Sequence, residues 1–235
     1  MKETHKFVFS FHFLIILAIL ACAIPGFGDG PPTPPPSPTP QGDTLYFNAP
    51  YVANLTPGVT VPGTFITYVG PSGDRFQMTI DGLSAVKANG DSLPWVGLIA
   101  RGVHGNYQLN LRSNLLGQLT AEGSVRLSIL NPNPVQLPAG QSPVGAKAHF
   151  AEIPINYIVP QGATIPGTSL VFEGQENQFA RLSGTANYPY YAQNDSLLWL
   201  GKLLDNVSLS YDLRVQSLDE YGLGLSGMAE LWISD

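Results

Sequence analysis

The chain repeats itself, and that limits its folds more than any other feature. Val61-Pro62-Gly63-Thr64 returns as Ile165-Pro166-Gly167-Thr168, an offset of 104 residues. The same offset carries Asp91-Ser92-Leu93-Pro94-Trp95-Val96-Gly97 onto Asp195-Ser196-Leu197-Leu198-Trp199-Leu200-Gly201. It also carries Val103, Tyr107, Leu109 and Ser113 onto Val207, Tyr211, Leu213 and Ser217, and Gly123, Leu127 and Ile129 onto Gly227, Leu231 and Ile233. Laid over one another without a gap, 43–130 and 147–234 share about 20 of 88 positions. A repeat of this length means two copies of one supersecondary unit. Residues 131–146 between them hold four prolines and no periodicity, so they read as a linker.

Each copy reads as β. Tyr107-Gln-Leu-Asn-Leu-Arg112, Leu209-Ser-Tyr-Asp-Leu-Arg-Val215 and Val125-Arg-Leu-Ser-Ile129 alternate apolar and polar residues. Period-two alternation marks a strand with one buried and one wet face. After residue 43 no ten-residue stretch carries a 3.6-residue apolar period. Gly, Pro and Asn clusters punctuate the runs, as hairpins require. The expectation is five or six strands per copy, near 44–52, 64–69, 75–81, 93–100, 105–112 and 123–130, with counterparts 104 residues on. The last strand of each copy has an alternative start near Leu119 or Leu223. The fold class is therefore all-β: two tandem homologous antiparallel units, each a small barrel or sandwich. The 16-residue linker favours two separate beads over one pseudo-symmetric body built from both halves.

The shared motif has a structural meaning. Pro-Gly before Thr64 and Thr168 suits a tight turn entering a strand. Asp91 and Asp195 are placed to bond nearby backbone in a turn. Trp95 and Trp199 share the phase of Leu93 and Leu197, which makes each the large core residue of its copy. Tyr107 and Tyr211 point inward, ring buried and hydroxyl reaching an edge.

The N-terminus reads as an address and a tether. Lys2 and Lys6 precede an apolar run from Phe7 to Ala21, the pattern of an export signal. Ile19-Leu20-Ala21-Cys22 resembles a bacterial lipobox, which implies a lipid on Cys22, the only cysteine of the chain. An ordinary cleavage after Ala21-Cys22-Ala23 and an uncleaved anchor are the alternatives. Residues 1–22 are thus a signal segment, and 23–42 a proline-rich spacer with seven prolines in 31–40. Such a sequence favours extended polyproline II, at ~3.1 Å per residue. The chain is expected to be exported and held at the cell membrane, cell surface or periplasm, with a soluble secreted protein as the alternative.

Chemistry is sparse. Charged residues are 12% of the chain and the net charge is −6, which argues against a nucleic-acid partner. One cysteine rules out an intrachain disulfide and a cysteine-based zinc site. His104 and His149 stand alone, with 149 laid over Leu45 by the offset, and no motif for a metal, nucleotide or nucleophilic serine is present. No metal or cofactor is expected. Asn54-Leu-Thr56, Asn194-Asp-Ser196 and Asn206-Val-Ser208 fit the glycosylation triplet, although the lipobox points to a bacterium.

The clue to function is asymmetry. Residues 43–130 carry five acidic and five basic side chains, whereas 147–235 carry ten and four. Tyr188-Pro-Tyr190-Tyr191 stands where the first copy has Ser84-Ala-Val-Lys87. Trp232 alternates out of phase with Leu231 and Ile233, so it should face outward with Glu230. Trp232, Tyr188, Tyr190 and Tyr191 are therefore the candidate ligand-binding residues, a stacking platform for a polysaccharide or a contact patch for a surface protein. The expectation is a non-enzymatic binding or adhesion module. An envelope or assembly subunit using β edges is the second reading, and a hydrolase of an extracellular polymer the third.

Overall fold

A computed structural model describes residues 43–113, 118–138, 140–143, 145–186 and 188–235. The export signal, Cys22 and the proline-rich spacer fall in residues 1–42, outside the described residues. The first copy supplies β1 (Thr44–Leu55), β2 (Ile66–Ser72), β3 (Arg75–Ile80), β4 (Leu83–Lys87), β5 (Ser92–Ala100), β6 (Val103–Ser113) and β7 (Leu119–Leu130). A two-residue β8 (Val135–Gln136) follows. The second copy supplies β9 (Ala148–Val159), β10 (Val171–Glu176), β11 (Phe179–Ser183), β12 (Tyr190–Tyr191), β13 (Ser196–Leu204), β14 (Val207–Asp219) and β15 (Gly222–Ile233). No helix occurs among the described residues, and every strand pairing is antiparallel. The chain is all-β, as the alternation predicts.

Each copy folds the same way. The first builds a large sheet, β1-β7-β6-β5, and a small one, β2-β3-β4. The second builds β8-β13-β14-β15-β9 and β10-β11-β12. The strands outnumber the five or six expected. β4 and β12 carry no fully buried residue and β12 is only two residues long, so neither shows a period in the sequence. β8 escaped the sequence reading because only two residues between prolines pair, and it lies within the stretch read as linker. β7 begins at Leu119, the earlier of the two starts considered.

The motif residues do what their chemistry suggests. The Thr64 hydroxyl donates to the Val61 carbonyl at 2.8 Å and accepts from the Ile66 amide at 3.0 Å. Thr168 repeats this with Ile165 and Leu170. Gly63 and Gly167 sit at φ 78° and 76°, the left-handed region that glycine enters without steric cost. Tyr107 Oη donates to the Pro62 carbonyl and Tyr211 Oη to that of Pro166, both at 3.0 Å. Asp91 and Asp195 accept from the amides of Ala88 and Ala192 at 2.8 Å. Trp95 and Trp199 are buried, each folded back over the glycine two residues on. A Cβ at Gly97 would lie 2.4 Å from the Trp95 ring, and one at Gly201 2.3 Å from that of Trp199.

Both halves contribute to a single core, and the described residues all fall in one compact unit. Rings meet across the copies: Phe47 with Tyr211 at 6.5 Å, Tyr51 with Phe150 at 5.8 Å, and Tyr107 with Phe150 at 6.4 Å. β1 and β9 run close to each other without pairing. This is the pseudo-symmetric body rather than two beads. Buried side chains of both large sheets pack together in that core, the arrangement by which β units hide their apolar faces. Linker length did not decide the matter, because part of the linker joins the second sheet.

Two register shifts in the second copy have no counterpart in the first: one between Val215 and Ser217, where β14 meets β15, and one at Glu152. Glu152, at φ 54°, lies in a bulge where β9 slips against β15 between Ala229 and Leu231. Before it Ala148 pairs Ile233, just as Leu45 pairs Ile129 in the first copy. His149 therefore corresponds to the outward Tyr46, not to the buried Leu45 that the ungapped overlay assigns. An inserted bulge residue is invisible to such an overlay.

Candidate functional site

The site grows from one row of side chains across the outer face of the second large sheet. Trp232 pairs with His149 on one side and Ser208 on the other; Ser208 pairs with Lys202, and Lys202 with Val135. Leu231 and Ile233 are buried, so period two turns Trp232 outward between them. The His149 ring stacks on the indole, centroids 5.0 Å apart and planes 14° from parallel. His149 Nε2 lies 3.2 Å from Glu230 Oε2, which steadies the imidazole in that position. The small Ser208 leaves the other side of the indole open toward Lys202.

That open side faces a groove of about 260 Å³. Trp232, Ser208, Lys202, Asp205, Asn206 and Ser234 form its floor, and Leu137, Gln141, Ser142, Pro143 and Ala146 its far wall. Residues 131–146 thus do more than connect the copies. They cap the edge of β13 through β8 and then wall the groove.

Two charges face the groove. Asp205 lies 3.9 Å from Arg101. Lys202 makes no ion pair among the described residues. Asn206 is 9% exposed. Its Nδ2 donates to the carbonyls of Arg101 and Ser234 at 3.2 and 3.4 Å, which fixes the amide orientation, since only the nitrogen can serve carbonyl acceptors. Its Oδ1 is buried and has no partner. Such an acceptor costs roughly 1–3 kcal/mol until a donor reaches it. Burial of Asn206 also removes the third glycosylation triplet from the accessible surface, whereas Asn54 and Asn194 are exposed.

The tyrosines lie elsewhere. Tyr190 and Tyr191 form β12, which pairs with β11. Tyr190 Oη donates to Glu176 at 3.3 Å, and the same carboxylate meets Arg181 at 3.5 Å. Tyr188 packs on Tyr190 at 5.5 Å, and Phe179 on Tyr190 at 6.5 Å. Tyr191 is half-buried against the core, and burial together with the Asp195 carboxylate pushes its phenol up. The chain from β12 enters β13 at Ser196, which pairs Arg214, whereas the Trp232 row crosses at Lys202 and Ser208. Six residues of strand separate the two places, about 20 Å at the usual rise. The four residues expected to form one platform are therefore two clusters. The groove takes Trp232 alone, with Lys202, Asn206 and Ser208 beside it and His149 behind the indole, none of which the sequence reading assigned to a ligand site. Ser208 and Lys202 lie outside the buried rows of β14 and β13, and the pairing register puts them beside Trp232.

Among the described residues no group of three or more His, Cys, Asp or Glu is arranged to hold a metal ion. No protein-family model matches the chain, no curated protein matches its sequence and no solved structure matches its fold.

Proposed function

We propose that this is an exported surface module, lipid-anchored through Cys22, that binds a saccharide of an extracellular polymer without catalysis. The proline-rich spacer between anchor and fold suits a domain held away from a bilayer. The observation that carries the reading is the groove at Trp232. An indole buttressed on one side and open on the other offers an apolar plane for a sugar ring. Hydroxyl, amide and ammonium groups beside it supply the directional contacts that fix orientation.

The test is binding of the full chain to a panel of purified glycans, with Trp232→Ala and Lys202→Ala alongside. The reading expects a saturable ligand, loss of at least tenfold in affinity for Trp232→Ala, and a smaller loss for Lys202→Ala. Both side chains lie outside the core, so both variants should keep the wild-type melting temperature within a few degrees. Binding indifferent to Trp232 contradicts it.

A further inference from the structure

The two copies treat the same sheet edge differently. In the second copy the outer edge of β13 is covered by β8. Val135 pairs Lys202 and Gln136 pairs Gly201, the Leu137 amide donates to the Leu200 carbonyl at 2.9 Å, and the Asn133 amide donates to that of Leu203 at 2.8 Å. In the first copy the corresponding residues are Val96, Gly97, Leu98 and Ile99 of β5. No strand among the described residues pairs with that edge.

The direction of its free groups follows from the ladder. The Leu111 amide donates to the Asp91 carbonyl, so Leu93, Trp95 and Gly97 of β5 bond to β6 while Pro94, Val96 and Leu98 turn their backbone outward, up to the register shift between Leu98 and Ala100. Pro94 has no N–H and blunts one end of the edge. Val96 and Leu98 keep theirs. Their side chains are 70% and 53% exposed, a small apolar stripe beside the open backbone. β5 carries no charged residue, although charge is a common defence of an exposed edge.

We propose that the outer edge of β5 is a docking site for an extended, uncharged segment of a partner polypeptide, laid antiparallel along Val96–Ile99. The second copy shows the chemistry of the occupant: Asn133–Leu137, apolar at alternate positions, with amides at 133 and 137 meeting edge carbonyls. A stable subunit interface buries roughly 800 Å² per partner. Four residues of edge fall well short of that, so the site fits a strand of peptide rather than the face of a second copy. Strand addition of this kind takes affinity from main-chain hydrogen bonds and selectivity from alternate side chains.

The experiment uses the full chain, isotopically labelled, and a capped synthetic peptide with the sequence of residues 131–138. The peptide should shift the amide resonances of Val96–Ala100 and slow hydrogen exchange at Val96. Val96→Pro removes an outward N–H and no bond to β6. It should weaken the peptide at least tenfold and move the melting temperature by only a few degrees. Absence of shifts in β5 at saturating peptide overturns the proposal, as do shifts confined to Gly201–Leu203 or shifts unchanged in Val96→Pro. A dimer that forms without peptide and dissociates in Val96→Pro also overturns it, because a second copy would then occupy the edge.

Discussion

The two copies share a skeleton and differ in what they do with its surface. Both keep the Thr-capped turn, the tryptophan folded over a glycine and the tyrosine hydroxyl tied to a proline carbonyl. The differences lie outside that skeleton. Trp95 Nε1 donates to Asp81 at 2.9 Å. The corresponding residue in the second copy is Thr185, and Trp199 Nε1 is buried without a partner. The outward row reads Tyr46, Ser128, His104, Leu98 in the first copy and His149, Trp232, Ser208, Lys202 in the second. The first copy is neutral with an open edge; the second is acidic, with a covered edge and a groove. Inner faces are held alike because each sheet must fit the other, while outer faces are free to diverge.

The largest expected effect concerns the core to which both copies contribute. Burial pushes the phenols of Tyr51 and Tyr157 up to about 12, and it also raises those of Tyr107 and Tyr211 well above the ordinary phenol range. Between about pH 10 and 12 the unfolded chain gives up these protons while the folded chain keeps them. The unfolded state then binds fewer protons, and stability falls as pH rises, by up to about 1.4 kcal/mol per pH unit for each tyrosine. Below about pH 10 the contribution is fully present. Alkaline titration followed by circular dichroism should show one cooperative transition, since both halves contribute to one core. Two transitions would separate the copies.

A smaller effect sharpens the difference at the edge. Gly97→Ala pushes a Cβ into the Trp95 ring alone, an overpacking cost of about 1–3 kcal/mol. Gly201→Ala meets the Trp199 ring and also the Val135 carbonyl of β8 at 2.5 Å. It should cost more, about 3 kcal/mol or above, in chemical denaturation. Equal costs would mean that β8 yields freely. Smaller again, Asp81→Ala strips the Trp95 indole of its acceptor and should cost about 1–2 kcal/mol. Thr185→Ala removes no such bond and should stay within about 0.5 kcal/mol.

Much of this fold is legible in sequence because period two survives in the long strands. Leu93, Trp95, Tyr107 and Leu109 are buried, along with Leu197, Trp199, Tyr211 and Leu213, as alternation and repeat require. Asp91 and Asp195 bond the turn backbone for the reason their short carboxylates suggest. What alternation cannot carry is pairing between distant strands. The bulge at Glu152 moves His149 from a buried to an outward position, and so beside Trp232. A two-residue strand set between prolines has no period to read, yet it covers the edge of β13 and leads into the segment that walls the groove. The separation of Trp232 from Tyr188, Tyr190 and Tyr191 depends on which end of β13 each meets, a matter of register alone.

The central claim is that Trp232, alone of the three tryptophans, meets a ligand. The direct measurement is the indole N–H resonances of the full chain, titrated with the tightest glycan of the panel. The account predicts a progressive shift of the Trp232 signal that saturates, with Trp95 and Trp199 unmoved in the core. A ligand that binds and leaves Trp232 unshifted, or shifts the buried pair instead, would contradict it.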